Sequence, residues 1–90
     1  MSKMVFLALQ SNDETRPIVQ AIEADNPHAN VVHMPAMVKI DAAQRLSVKR
    51  ATVEEHLGRK WDVQELHVNL ISISGNVDET DDEFVIGWFN

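Results

Sequence analysis

Residues 78 to 83 read Asp-Glu-Thr-Asp-Asp-Glu, and these five carboxylates in six positions are the densest chemistry in the chain. An EF-hand calcium loop needs oxygen ligands at alternate positions, Gly at the sixth and Glu at the twelfth, between two helices. Counted from Asn76, the sixth residue is Asp81, and both flanks read as strands. Acid–base catalysis by paired carboxyls needs a cleft that perturbs one of them, whereas adjacent carboxylates at a flexible tip stay hydrated and ionised. The favoured reading is a charged hairpin. A strand runs to about Ser74, the chain turns at Gly75-Asn76, the tip is acidic, and a strand returns from Glu83. Charge at such a tip discourages edge-to-edge pairing.

The other candidate groups are weaker. His28, His33, His56 and His67 form no H-x-x-x-H or H-x-H pattern. His33 and His67 lie on expected strands where an approach is open to them, but no carboxylate at matching spacing completes a metal site. Half-buried structural histidines are the expectation. Ser72 and Ser74 sit outside any G-x-S-x-G context, and Gly58, Gly75 and Gly87 are too scattered to cradle a phosphate. Met34 and Met37 flank Pro35-Ala36, either as core filler or as adaptable partner-facing contacts. No catalytic apparatus, metal ligand set or cofactor motif emerges.

The elements that would position these groups follow from hydrophobic period. Met4–Gln10 is a continuous apolar run, expected as a strand covered on both sides. In residues 11–27 the period changes to helical, with Ile18, Ala21 and Ile22 on one stripe and Val19 at its edge. Pro17 suits a first turn, Asp13 and Glu14 suit the positive end of the helix dipole, and Asn26-Pro27 stops the helix. Residues 29–50 read as three short strands, with Val38, Ile40, Leu46 and Val48 inward and Lys39, Ser47 and Lys49 outward. The short connection Asp41–Gln44 is compatible with a hairpin. A second helix over 51–59 carries Thr52 and Glu55 at capping-box spacing and Gly58 at its end. Residues 61–64 read as a turn. The following strand, 65–74, changes phase between Leu70 and Ile71, which implies a bulge or burial on both faces. A last strand, 83–89, places Phe84, Ile86 and Trp88 on one face. The expected fold is therefore α+β, one small domain over residues 1–90. Its order is β-α-β-β-β-α-β-β, with antiparallel sheets packed with two main helices.

Composition narrows the function class. At 90 residues the chain can bury somewhat over ~60% of its unfolded surface. It has no cysteine, hence no disulfide, thiolate nucleophile or Cys-ligated metal. The formal charge of −6 disfavours nucleic acid as a partner. No apolar run approaches the ~20 residues of a membrane span, and the N-terminal stretch reads as a strand, not a secretory signal. A cytoplasmic binding or regulatory module is the expectation.

Two longer stretches carry a resemblance. Thr15–Pro27 and Thr52–Phe84 are similar to the regulatory, or coupling, proteins of soluble bacterial multicomponent monooxygenases, and most to the phenol hydroxylase branch. The most telling pieces are Asp25-Asn26-Pro27, Glu54-Glu55 with Leu57-Gly58-Arg59, and Gln64-Glu65-Leu66 with Asn69-Leu70. The resemblance implies a protein with no metal, cofactor or catalytic residue. Its implied partner is a hydroxylase that houses a diiron centre, linked functionally to an NADH-dependent flavin and iron–sulfur reductase. Docking would couple NADH and O₂ consumption to aromatic hydroxylation. The methane monooxygenase effectors dock partly through a long N-terminal tail; here only Met1-Ser2-Lys3 precede the first strand, so the folded faces are expected to dock. The expected partner-binding residues are Asn12, Asp13 and Arg16 before and within the first helix, Met34 and Met37, and Asn69 and Ser72. Two readings compete: a generic acidic interaction or inhibitory domain, and a small enzyme using the histidines and carboxylates.

Overall fold

The computed structural model describes residues 3–88. Its strands are β1 (Met4–Gln10), β2 (Asn30–His33), β3 (Met37–Ala43), β4 (Arg45–Lys49), β5 (Leu70–Ser74), β6 (Asn76–Glu79) and β7 (Glu83–Gly87). The helices are α1 (Thr15–Asp25) and α2 (Arg50–Leu57), and a 3-10 helix covers Val63–Val68. The α+β class and the element order are as the sequence implies, with the short strand β6 and the 3-10 helix added. The expected last strand position, Phe89, lies outside the described residues, as do Met1 and Ser2.

The strands form two antiparallel sheets. The first has the order β2-β3-β1-β5 and the second the order β4-β7-β6. The chain passes between the sheets three times, once by way of α2 and the 3-10 helix and twice directly. The first crossing, at Gln44, joins β3 to β4, so the expected hairpin there is not one. Gln44 takes a left-handed φ of 67°, and its N–H donates to the Lys3 carbonyl while its own carbonyl accepts from the Trp88 N–H. The second direct crossing is at Gly75, with φ 131°. A Cβ there would lie 2.6 Å from Ile86 Cγ2 and 3.0 Å from Val5 Cγ1, so both backbone and space require glycine.

One hydrophobic core joins the two sheets and the helices. β1 contributes Val5, Leu7 and Leu9; β3 contributes Val38 and Ile40; β4 and β7 contribute Leu46, Val48, Phe84 and Ile86. Ile18 and Ile22 of α1 and Val53 of α2 complete it with Trp61, Val63 and Leu66. β1 has one core face only. On its other side Met4 is exposed, Ala8 is buried and Phe6 is half-buried beneath the Lys39 ammonium, 4.8 Å from the ring centroid.

Local chemistry explains the element ends. The α1 C-cap, Asn26, is buried. Its side-chain amide donates to the carbonyls of Ile22 and Ser47 and accepts from the Ser47 N–H, so it ends the helix and ties it to β4. Ser47, expected outward, is buried beneath that amide. The expected capping box at Thr52 and Glu55 is absent because α2 already begins at Arg50, whose N–H donates to the Asp82 carbonyl. Gly58 closes α2 in the left-handed conformation, as expected. The capping box belongs instead to the 3-10 helix. There Asp62 Oδ1 accepts from the Gln64 N–H, and Glu65 Oε2 accepts from the Asp62 N–H. Residues 63–68 are thus helical, not a turn running into a strand.

The phase change in 65–74 has a definite origin. Ala8 pairs with Ser72 and Leu9 with Leu70, which leaves Ile71 as the extra residue of a bulge. The acidic run is also resolved. Asp78 and Glu79 belong to β6, which pairs with β7, and the reversal is at Thr80–Asp82. Thr80 N–H donates to the Glu83 carbonyl, and Thr80 Oγ1 accepts from the Asp82 and Glu83 N–H groups. The hairpin therefore joins β6 and β7, not β5 and the last strand.

Candidate functional site

Three segments meet at one end of the first sheet: the chain entering α1, the β2–β3 turn, and the junction between the 3-10 helix and β5. Backbone hydrogen bonds hold them together. Gln10 N–H donates to the Asn69 carbonyl at 2.8 Å, and Ser11 N–H donates to the Ala36 carbonyl at 3.1 Å. The turn itself is closed by Met34 N–H donating to the Met37 carbonyl.

Side chains fix the entry to α1. Thr15 N–H donates to Asn12 Oδ1 at 3.0 Å, and Asn12 N–H donates to Thr15 Oγ1 at 3.1 Å. The buried Thr15 hydroxyl donates to the Gln10 carbonyl at 2.7 Å. This reciprocal pair satisfies early helix N–H groups that lack intrahelical partners. Asn12 Nδ2 donates to Asn69 Oδ1 at 2.9 Å, and Asn69 Nδ2 donates to Glu14 Oε2 at 3.3 Å. Asn69 thus links the α1 entry to β5 on the other side of the end.

The seven residues expected from the sequence divide into two groups. Asn12, Asp13, Arg16, Met34, Met37 and Asn69 are brought to this one end. Asn12, Asp13 and Arg16 are exposed, Met34 is 40% exposed, and Met37 is half-buried. Asn69 is only 5% exposed and spends its side chain inside the protein, so its place is to hold the others. Ser72 stands apart from the α1 entry. It lies exposed along the edge strand, opposite Ala8.

Sequence reasoning missed three residues here. Val68 and Ile71 flank Asn69 and are 72% and 48% exposed. For Ile71 the signal was the phase change, since an extra residue must turn an apolar side chain outward; Val68, at the end of the 3-10 helix, carried none. His33 lines a groove of about 570 Å³ between α1 and the hairpin, together with Asp13, Arg16 and Glu23.

The histidines and carboxylates do not converge on a reaction centre. His33 lies on the β2 edge beside α1, whereas His67 lies in the 3-10 helix against β6 and β7. His67 Nε2 lies 2.8 Å from Glu79 Oε1, and its ring meets Phe84 edge-on at 5.7 Å. Asp82 pairs with Arg50 at 2.9 Å. Two of the five clustered carboxylates therefore fasten β6 and its turn to the rest of the fold. Among the described residues no three His, Asp or Glu side chains are placed to hold a metal ion, and no helix is long and apolar enough to cross a membrane.

Known proteins share this arrangement. The model of the MmoB/DmpM family matches residues 3–87. The stimulatory component DmpM of phenol 2-monooxygenase from Pseudomonas sp. (strain CF600) is 58% identical over 90 residues, covering the whole of both chains. A chain in the solved phenol hydroxylase–regulatory protein complex superposes with a TM-score of 0.92 at 50% identity, over 97% of this chain and all of that one. The soluble methane monooxygenase regulatory protein B superposes with a TM-score of 0.74 at 26% identity, over 93% of this chain and 64% of that one.

Proposed function

Because this chain belongs to the MmoB/DmpM family, we propose that it is the regulatory component of a phenol hydroxylase-type monooxygenase. It is not the catalytic subunit. It binds the hydroxylase component and couples NADH and O₂ consumption to hydroxylation of an aromatic ring. The observation that carries this reading is the end-to-end 58% identity with a phenol 2-monooxygenase stimulatory component. The match to a chain solved within a phenol hydroxylase–regulatory protein complex supports the partner.

A protein that brings no reacting group can act on its partner only by preferring one of the partner's conformations. Its reach is set by that preference. Moving a partner from 1:99 to 99:1 takes a differential affinity of about 5.5 kcal/mol. The docking face in this reading is the end built from Asn12, Asp13, Arg16, Met34 and Met37, with Ser72 along the adjoining edge and Asn69 beneath. The NADH-dependent flavin and iron–sulfur reductase is then a functional partner through the hydroxylase, and the working compartment is the cytoplasm.

The test uses purified hydroxylase and reductase with NADH and phenol. Added protein should raise hydroxylated product per NADH and saturate with hydroxylase concentration. Product formed by this chain alone, or no change in coupling on its addition, would overturn the reading.

A further inference from the structure

We propose that the groove between α1 and the β2–β3 hairpin receives a segment of the hydroxylase component. That segment carries a carboxylate opposite Arg16 and His33 and a cation opposite Glu23. This inference rests on the regulatory reading and adds to it the chemistry of one contact.

The groove has an apolar floor and charged walls. Val19 and Val38, each 4% exposed, form the floor. Arg16, Gln20 and Glu23 stand at i, i+4 and i+7 of α1, so they form one row along the helix. His33 faces them from the hairpin. The Ser11-to-Ala36 hydrogen bond draws the hairpin turn to the start of α1, which sets His33, next to that turn, at the Arg16 end. Seven residues at 1.5 Å each separate Arg16 from Glu23 by about 10 Å. One end of the groove thus carries Arg16 with the exposed Asp13 carboxylate beside it, the middle carries the uncharged Gln20, and the far end carries Glu23.

These charges are free to receive a partner. Arg16 meets Asp13 at 3.4 Å, but the two side chains are 72% and 97% exposed. A pair this open contributes little, and it leaves most guanidinium donors available for a two-pronged bond to a carboxylate. The side chains of Glu23 and His33 have no hydrogen-bond or ion-pair partner among the described residues. The groove also opens at the end where Asn12 and Asp13 stand, so a docked partner reaches it without a second footprint.

Charge reversal tests the proposal. Arg16→Glu and Glu23→Lys would each be titrated calorimetrically into purified phenol hydroxylase component at low and physiological salt, with Glu55→Lys on α2 as a reversal outside the groove. Each groove variant should bind about tenfold more weakly or worse, and its affinity should depend less on salt. Both residues are exposed, so thermal unfolding should not move. Parent-like binding by both variants would overturn the groove assignment while leaving the regulatory reading intact. Equal weakening by Glu55→Lys would reduce the effect to net charge and overturn it too. A parent protein that neither binds nor stimulates hydroxylase would refute the regulatory reading itself. Phenol titrated into the free protein should leave the Val19 and Val38 methyl resonances in place; saturable shifts would make the groove an aromatic pocket and overturn the proposal.

Discussion

Replacing Asn69 by Ala should loosen the α1 entry without dismantling the fold. The substitution removes one neutral bond, from Asn12 Nδ2 at 2.9 Å, and one longer bond to the Glu14 carboxylate at 3.3 Å. The first contributes about 1 kcal/mol and the second, longer and ending on an exposed carboxylate, about 0.5–1 kcal/mol. Asn12 and Glu14 are both exposed and regain water, so no buried orphan is added to the cost. The backbone bond from Gln10 N–H to the Asn69 carbonyl survives. The expected loss is about 1.5–2 kcal/mol, a fall in Tm of roughly 10 °C for a domain of this size. Asn69→Asp keeps the acceptor but sets a new carboxylate beside Glu14. Two charges at that distance repel by at most ~5 kcal/mol at an effective dielectric of 20, and far less once the exposed Glu14 swings away. We expect about 1 kcal/mol beyond the alanine variant, partly recovered in 1 M salt. Urea unfolding of Asn69→Ala, Asn12→Ala and the double variant reads the coupling directly, with about 1 kcal/mol expected between the two sites. Stimulation of hydroxylase should fall in step, because the docking segment is held less firmly. Unfolding within ~0.5 kcal/mol of the parent for both Asn69 variants, a range usual for surface changes, would refute the claim that this amide holds the site together.

Gly75→Ala should cost about 2–5 kcal/mol in urea unfolding, since it combines a forbidden φ with a Cβ pressed on Ile86 and Val5; a loss below ~1 kcal/mol would mean the crossing relaxes freely. Met34→Lys with Met37→Lys should weaken hydroxylase binding while leaving circular dichroism unchanged, as the stems still cover the turn and the ammonium groups reach water; undiminished stimulation would remove the turn from the docking face. Neutralising Asp78 and Asp81, which unlike Glu79 and Asp82 form no ion pair within the described residues, should slow association with hydroxylase and flatten its salt dependence at unchanged stability; an unaltered rate would make them a solvated edge and nothing more.

The acidic run shows how chemistry read along the chain changes in three dimensions. Five carboxylates within six positions looked like one solvated tip. Their shared feature was composition, but their surroundings differ. Glu79 reaches His67 across from the 3-10 helix, and Asp82 reaches Arg50 at the start of α2. Neither partner is a sequence neighbour, so spacing within the run carried no trace of either bond. The residues expected to dock behaved similarly. Asn69 was named from resemblance, and its type and position say nothing about burial. Only the meeting of Gln10, Asn12 and Glu14 around it turns an apparent contact residue into a support for its neighbours.

Periodicity along the chain was enough to establish α1, α2 and the strands of the first sheet, because burial of one face imposes a repeat of 3.6 or 2 whatever the partner. The sequence also marked the phase change at Ile71, as a bulge or burial on both faces, and the left-handed close at Gly58, where local geometry admits few residues. It could not distinguish a hairpin from a passage between sheets. The connection through Gln44 joins two alternating strands in either case, and the pairing of β3 with β1 and β4 with β7 depends on residues up to the far end of the chain. Nor could it choose between two spacings that both suit a capping box. Thr52 lost that role because α2 starts at Arg50, held by the Asp82 carbonyl, and Asp62 gained it where the chain had looked like a plain turn. Local pattern determines what each segment can become; contacts between distant segments select which of those options is built, and the end that gathers Asn12, Asp13, Arg16, Met34 and Met37 exists only through such contacts.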